Sequence, residues 1–150
     1  MFRLHRGVMN KVFTYKIHSI VFLLLISFLG CKKDKNEIPD VYVDIYLSTT
    51  DPAFSPLNAI SGYTYISGGS KGILIFRKSQ NEFMAYDRHC TYNVKEENQI
   101  AVDVSGLLAV DSKCNSKFLV MDGSPNSGPA ANPLKYYQTT FDGTVLHIFN

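Results

Sequence analysis

The chain has little of what marks an enzyme or a familiar metal module. It contains only three cysteines in 150 residues and no Cys-x-x-Cys pair, the spacing typical of structural zinc sites. It also lacks a Walker phosphate-binding loop, and no Ser-His-Asp order stands out. We therefore predict a protein that is not an enzyme and has no catalytic residues.

The first 30 residues lack acidic side chains altogether. They carry Arg3, Arg6, Lys11 and Lys16, followed by an apolar run over residues 20–29. A basic start before a short apolar run predicts a secretory signal peptide over residues 1–30, with Met1 or Met9 as its first residue. A retained single-pass anchor is the weaker alternative, because a bilayer core needs about 20 apolar residues.

The residues at the end of the apolar run distinguish ordinary signal-peptide cleavage from lipoprotein cleavage. The sequence Phe28-Leu29-Gly30-Cys31 resembles a bacterial lipobox, which predicts lipidation of Cys31 and a membrane as partner. Residues 31–40 are polar and predict a flexible tether. Because Lys32 follows the cysteine, and not the Asp that retains some lipoproteins in the inner membrane, we favour the outer membrane. The domain would then face the periplasm or the cell surface.

The apparent basicity of the chain belongs to the leader. Four of the 15 Lys and Arg residues precede Cys31, which leaves 11 basic against 13 acidic residues, a net charge of −2. No basic patch remains to indicate nucleic acid as a partner. The sequence points to no particular protein or small-molecule partner.

Residues 41–150 read as one domain of short strands. Apolar and β-branched runs alternate with Gly, Asn and Asp, and Asp122–Gly123 and Asp142–Gly143 have the composition of tight turns. This predicts an all-β fold, a small antiparallel sandwich or barrel, with a short helix over residues 51–58 at most. The predicted strands cover residues 41–47, 62–66, 73–77, 83–86, 101–104, 107–110, 118–121, 135–140 and 144–148.

The segment from residue 83 to residue 150 resembles a Rieske-type domain. Residues 86–92, Tyr-Asp-Arg-His-Cys-Thr-Tyr, look like the family's first cluster loop, and residues 113–118, Lys-Cys-Asn-Ser-Lys-Phe, look like the second. The Gly- and Pro-containing stretch over residues 123–136 and the closing residues 143–148 also match. The resemblance implies a Rieske-like all-β fold.

The cluster ligands of the family are mostly replaced. A Rieske [2Fe–2S] cluster is held by two Cys on one iron and two His on the other. Aligning Cys90 with the first cysteine places Tyr92 in the first histidine slot. Aligning Phe118 with the family's Phe places Asp111 in the second cysteine slot and Cys114 in the second histidine slot. We therefore expect a degenerate site that holds no Rieske cluster.

Cys90 and Cys114 remain as a pair of thiols on facing loops, which the resemblance implies lie close together. We predict a disulfide between them, ahead of free thiols, and expect no cofactor. The alternative is a [2Fe–2S] cluster, or a single ion held by Cys90, Cys114 and Asp111, with His89 completing a tetrahedron around zinc.

Two functions follow from this reasoning. The first is a non-catalytic envelope lipoprotein whose Rieske-like domain has a binding or structural role. The second is an iron–sulfur or mononuclear-metal protein that transfers electrons.

Overall fold

The computed structural model describes residues 37–150. The predicted signal peptide, Cys31 and most of the tether lie outside the described residues. Within residues 37–150, no helix has the length and apolarity needed to cross a membrane.

The described residues form antiparallel strands in two sheets. A six-stranded sheet has the order β1-β10-β9-β4-β3-β2, and a four-stranded sheet has the order β5-β6-β7-β8. The predicted all-β class is confirmed. The strands are β1 (Asp44–Ser48), β2 (Tyr63–Ile66), β3 (Ile73–Arg77), β4 (Phe83–Asp87), β5 (Ile100–Val102), β6 (Leu108–Asp111), β7 (Lys117–Leu119), β8 (Pro125–Ser127), β9 (Tyr136–Phe141) and β10 (Val145–Phe149).

Strand β3 separates two hydrophobic cores. Ile73 and Ile75 belong to one core, whereas Leu74 and Phe76 belong to the other. Successive side chains of a strand point to opposite faces, so a strand that is apolar at every position is buried on both sides. All four residues are 0% exposed. The unbroken run Ile-Leu-Ile-Phe therefore marks the middle of the fold.

The predicted short helix over residues 51–58 is a 3₁₀ helix, Pro52–Asn58. Asp51 caps its first turn, since its Oδ1 accepts a hydrogen bond of 2.9 Å from the Ala53 amide. Leu57 from this helix packs into the core that contains Ile73. A second 3₁₀ helix, Val94–Glu96, lies in the loop after β4.

Two elements were not predicted from the sequence: the second 3₁₀ helix, since a short helix was expected over residues 51–58 at most, and strand β8. Its residues, Pro-Asn-Ser, have low strand propensity. The strand forms because β7 offers it a pairing edge, and the pairing is irregular between Lys117 and Phe118. This small sheet supports the second of the two loops that carry the candidate site.

Candidate metal centre

Two loops from different sheets meet at the candidate site. Cys90 follows the end of β4, and its amide donates a 2.9 Å hydrogen bond to the Asn98 carbonyl. Asp111 is the last residue of β6, and Cys114 lies in the turn before β7. Asn115 adopts a positive φ of 59° in this turn, and its amide donates to the Asp111 carbonyl at 2.8 Å. The turn therefore brings Cys114 back over Asp111.

Three side chains with metal-ligating atoms converge there. The donor atoms of Cys90, Asp111 and Cys114 all lie within 4.8 Å of one another. The two Sγ atoms are 3.8 Å apart, and Cys114 Sγ lies 3.0 Å from Asp111 Oδ2. Cys90 and Asp111 are buried and Cys114 is partly exposed. The residues aligned with three of the four cluster-ligand slots therefore form one compact group of donors.

The site contains one carboxylate and two thiols. Burial, followed by the neighbouring Asp111, raises the pKa of the Cys90 thiol. Burial alone would raise the pKa of Asp111, but hydrogen bonds from the Cys114 and Cys90 thiols and from backbone amides hold it below its usual value. The Lys113 amide donates to Asp111 Oδ1 at 2.7 Å. The carboxylate is thus ionised and held in a fixed orientation.

Tyr92 and His89 lie outside this group. Tyr92, in the first histidine slot, is 42% exposed. His89 is buried, but its Nδ1 is 2.8 Å from Ser70 Oγ and its Nε2 is 2.8 Å from the Val94 carbonyl oxygen. Both ring nitrogens are therefore engaged, and the structure does not bring His89 to the site as a fourth ligand.

Ser116 belongs to the site, although the sequence did not single it out. It is fully buried, and its Oγ lies 3.0 Å from Cys114 Sγ while accepting a 3.1 Å hydrogen bond from the Ala130 amide. The Ser116 amide also donates to Cys114 Sγ at 3.4 Å. The one available signal was the serine in the family's Cys-x-x-His-Gly-Ser-x-Phe motif, which aligns with Ser116.

The predicted disulfide stays a prediction. Both cysteines are free thiols in the structure. Their 3.8 Å separation exceeds the S–S bond length of about 2.05 Å, so a rotation of the side chains would be needed to close the bond. Cys114, the more exposed of the two, is where an oxidant would first reach the pair.

Comparisons with known proteins identify the fold. No family model and no curated protein matches the sequence. Among solved structures, the plasma membrane Rieske protein PetC3 from Synechocystis PCC 6803 superposes with a TM-score of 0.56 and 17% identity, over 71% of this chain and 99% of that one. Two further matches are lower in TM-score. They are the ferredoxin of carbazole 1,9a-dioxygenase from Nocardioides aromaticivorans IC177 (0.45, 18% identity, 58% of this chain and 83% of that one) and the oxygenase–ferredoxin complex of carbazole 1,9a-dioxygenase (0.43, 18%, 69% and 93%).

The expectation that the domain has no cofactor is wrong. The chain shares its fold with a Rieske protein, a class that carries a [2Fe–2S] cluster, and three metal-ligating side chains converge at the corresponding loops. The donor set does not fit the His₂Cys₂ cluster, because it has no histidine and its three donors surround a single point. It fits one metal ion. The described domain therefore has a Rieske-like fold, and three side chains on two of its loops could hold a metal ion.

Proposed function

We propose that this protein is a non-catalytic lipoprotein of the cell envelope whose Rieske-like domain binds a single metal ion such as Zn²⁺. The ion would be held by Cys90, Asp111 and Cys114 and would join the two loops. The observation that carries the proposal is the convergence of these three donors within 4.8 Å.

The spacing of the sulfurs supports a shared ion. Zinc–sulfur bonds are about 2.3 Å long, and two thiolates on one tetrahedral zinc are consequently about 3.8 Å apart. Cys90 Sγ and Cys114 Sγ are 3.8 Å apart. The separation expected between a thiolate and a carboxylate oxygen is about 3.5 Å, so Asp111 would move outward from its present 3.0 Å contact with Cys114 Sγ.

The surroundings of the donors support a soft or borderline ion. Thiolates favour zinc and Cu(I) over Mg²⁺ and Ca²⁺, which prefer oxygen ligands. The Lys113 amide orients Asp111, and the Ser116 amide and hydroxyl contact Cys114. Such outer contacts fix ligand orientation in known metal sites. A water molecule would complete a tetrahedron from the side of the partly exposed Cys114.

Metal titration tests the proposal. We expect the reduced protein to bind one Co²⁺ per chain, with thiolate-to-cobalt charge-transfer bands and the strong visible absorption of a tetrahedral ion. Zn²⁺ should displace the cobalt and abolish both features. Elemental analysis after dialysis should then give one zinc per chain.

Two variants make the titration specific. Cys114→Ser removes a partly exposed ligand and should eliminate the charge-transfer bands, with circular dichroism used to show that the fold is retained. Cys31→Ser removes the third cysteine of the chain and should leave cobalt binding unchanged. An unchanged spectrum in Cys114→Ser, or no cobalt bound by the reduced wild-type protein, would contradict the metal site.

The envelope location is supported by the leader, its apolar run and the lipobox-like end at Cys31. The fold neighbour PetC3 is described as a plasma membrane protein, which is in keeping with a domain held at a membrane. Labelled palmitate should enter the wild-type protein in bacterial cells and fail to enter Cys31→Ala. Equal labelling of both would remove the anchor from the proposal and leave export standing.

A further inference from the structure

A second site lies beside the loop that connects β2 and β3. It is an open polar pocket of about 540 Å³ between this loop and the start of the segment that follows β4. Pockets of this size accommodate small organic molecules. The side chains that face it include Tyr65, Lys71, Arg88 and Gln99, and the remaining wall is the glycine-rich backbone of residues 67–72.

Arg88 is the distinctive group in this pocket. Its guanidinium stacks on the Tyr65 ring, 4.0 Å from the ring centroid, and its Nε donates a 3.0 Å hydrogen bond to the Ile100 carbonyl. No carboxylate of residues 37–150 forms an ion pair with it. Burial lowers the pKa of the guanidinium, whereas Tyr65 raises it. The side chain is thus held rigidly, with its two terminal nitrogens free of a counter-charge.

The other charged side chains near the pocket already have partners. Lys71 forms a 2.6 Å ion pair with Glu97 at the rim. Asp87 lies behind the loop, where its carboxylate accepts hydrogen bonds from the Ser70 amide at 2.6 Å and the Lys71 amide at 3.2 Å. The His89 amide and the Tyr137 hydroxyl also donate to it, at 2.9 and 2.7 Å. Of the two cationic side chains that line the pocket, Arg88 is therefore the one without an ion pair among residues 37–150.

The loop between β2 and β3 packs closely against the hydrogen-bonded Asp87 carboxylate. Gly69 has a positive φ of 58°, and a Cβ there would come within 2.6 Å of Asp87 Oδ2. Only glycine fits at this position, so the loop stays close to the sheet and the pocket stays open. The pocket wall is consequently held in place by the hydrogen bonds from the Ser70 and Lys71 amides to Asp87.

We propose that this pocket binds the oxyanion group of a small molecule, a carboxylate or a phosphate, on Arg88. A planar guanidinium pairs with such groups through two parallel hydrogen bonds. Tyr65 adds a hydroxyl that accepts the Val102 amide at 2.8 Å and retains its own proton to donate. The proposal is independent of the metal site.

NMR titration tests the proposed anion binding. The ¹⁵N-labelled full-length protein is titrated in detergent micelles at low salt. Succinate is the probe for a carboxylate and inorganic phosphate the probe for a phosphate. As the anion concentration rises, we expect the chemical shift of the Arg88 Nε–H group to change and then level off when the site is saturated. The Arg77 signal is an internal control and should stay still, because its guanidinium already donates to the carbonyls of Leu57, Ser79 and Gln80.

Three variants decide the outcome. Arg88→Gln should weaken binding by about tenfold or more, and Arg88→Lys, which keeps the charge but loses the fork, should bind with intermediate affinity. Lys95→Gln removes an exposed positive charge from the same loop and should bind within about twofold of wild type. A shift with one anion alone identifies its class. The absence of saturable shifts with both anions, or equal binding by Arg88→Gln, would overturn the proposal.

Discussion

Two buried aspartates each stand at the end of a strand, and they differ in the groups that donate hydrogen bonds to them. Asp87 ends β4 and Asp111 ends β6, and both are 0% exposed. The donors to Asp87 are three backbone amides and a tyrosine hydroxyl. Asp111 instead accepts from amides and from the Cys114 thiol, with Cys90 beside it.

The difference lies in which protons can leave. Amides never lose their protons, and the pKa of Tyr137 is raised by burial and by Asp87, so its hydroxyl stays a donor. Thiols can release their protons to solvent when a metal ion binds, and the resulting thiolates and the carboxylate could then act as its ligands. Burial of a carboxylate therefore does not by itself make a site. Around Asp87 the donors make a structural anchor, whereas around Asp111 they include two thiols that could bind an ion together with the carboxylate.

Thiol oxidation should have the largest effect, because it changes the surroundings of Asp111 and leaves those of Asp87 unchanged. Diamide would accept the two electrons and two protons released when Cys90 and Cys114 form a disulfide. Cobalt binding should then disappear and return with dithiothreitol, while the environment of Asp87 is unchanged. Alkylation followed by mass spectrometry should show both cysteines protected. If the diamide-oxidised protein, before reduction, still gave the full cobalt spectrum, the thiols beside Asp111 would not be metal ligands.

Asp87→Asn should destabilise the fold by about 3 kcal/mol, because an amide group would replace an acceptor among four donors. Urea unfolding of the metal-free protein measures the change. Asp122→Asn is the matched control, since its carboxylate is exposed and caps only a local turn with Ser124. The folded fraction of Asp87→Asn should still bind one cobalt ion. A change below that of the control would show that Asp87 is no anchor.

Asp111→Asn should have its main effect on the ion. We expect metal affinity to fall by about 100-fold, since loss of even an outer contact costs 10- to 100-fold in known sites. Competition of bound Zn²⁺ with a chelator measures this, with Asp122→Asn again as the control. Affinity equal to that of the control would remove Asp111 from the ligand set and leave a two-thiolate site.

Acid should release the ion. Because burial raises the pKa of the Cys90 thiol, that group is protonated at neutral pH in the metal-free site and must lose its proton to bind. Affinity should therefore fall as pH falls, by about tenfold per pH unit for each proton displaced. In the metal-free protein the same raised pKa stabilises the fold below the ordinary thiol pKa, and this contribution is lost at alkaline pH. Zn²⁺ affinity measured at several pH values checks the first sign.

Tyr92→Phe should change little. Tyr92 aligns with a family ligand but is 42% exposed and lies outside the donor group. Metal affinity should stay within about twofold of wild type, and stability should change by about 0.5 kcal/mol or less, as for other surface substitutions. A marked loss of cobalt absorption in this variant would place the phenol among the ligands.

Nine of the ten described strands could be predicted because each of the nine carries its own signal. Period-two alternation marks β10, and an unbroken apolar run marks β3. β8 could not be predicted, because a Pro-Asn-Ser segment pairs only when β7 lies beside it. Two of the three donors were visible as thiols, and Asp111 was found only through the resemblance of the second loop to the Rieske motif. Ser116 was not singled out, although it aligns with the serine of the family motif. The Arg88 pocket was not found, since it has no local signature in the sequence.

The sequence by itself determined the all-β class, the net negative charge of residues 31–150, and the two thiols of the Rieske-like domain. Only the tertiary structure decided that Cys90 and Cys114 meet Asp111, that His89 is occupied by Ser70 and Val94, and that Arg88 faces a pocket without a counter-charge. Strand formation depends on neighbours in the chain. Coordination and charge pairing depend on distances between loops of different strands, which are set when the two cores pack around β3.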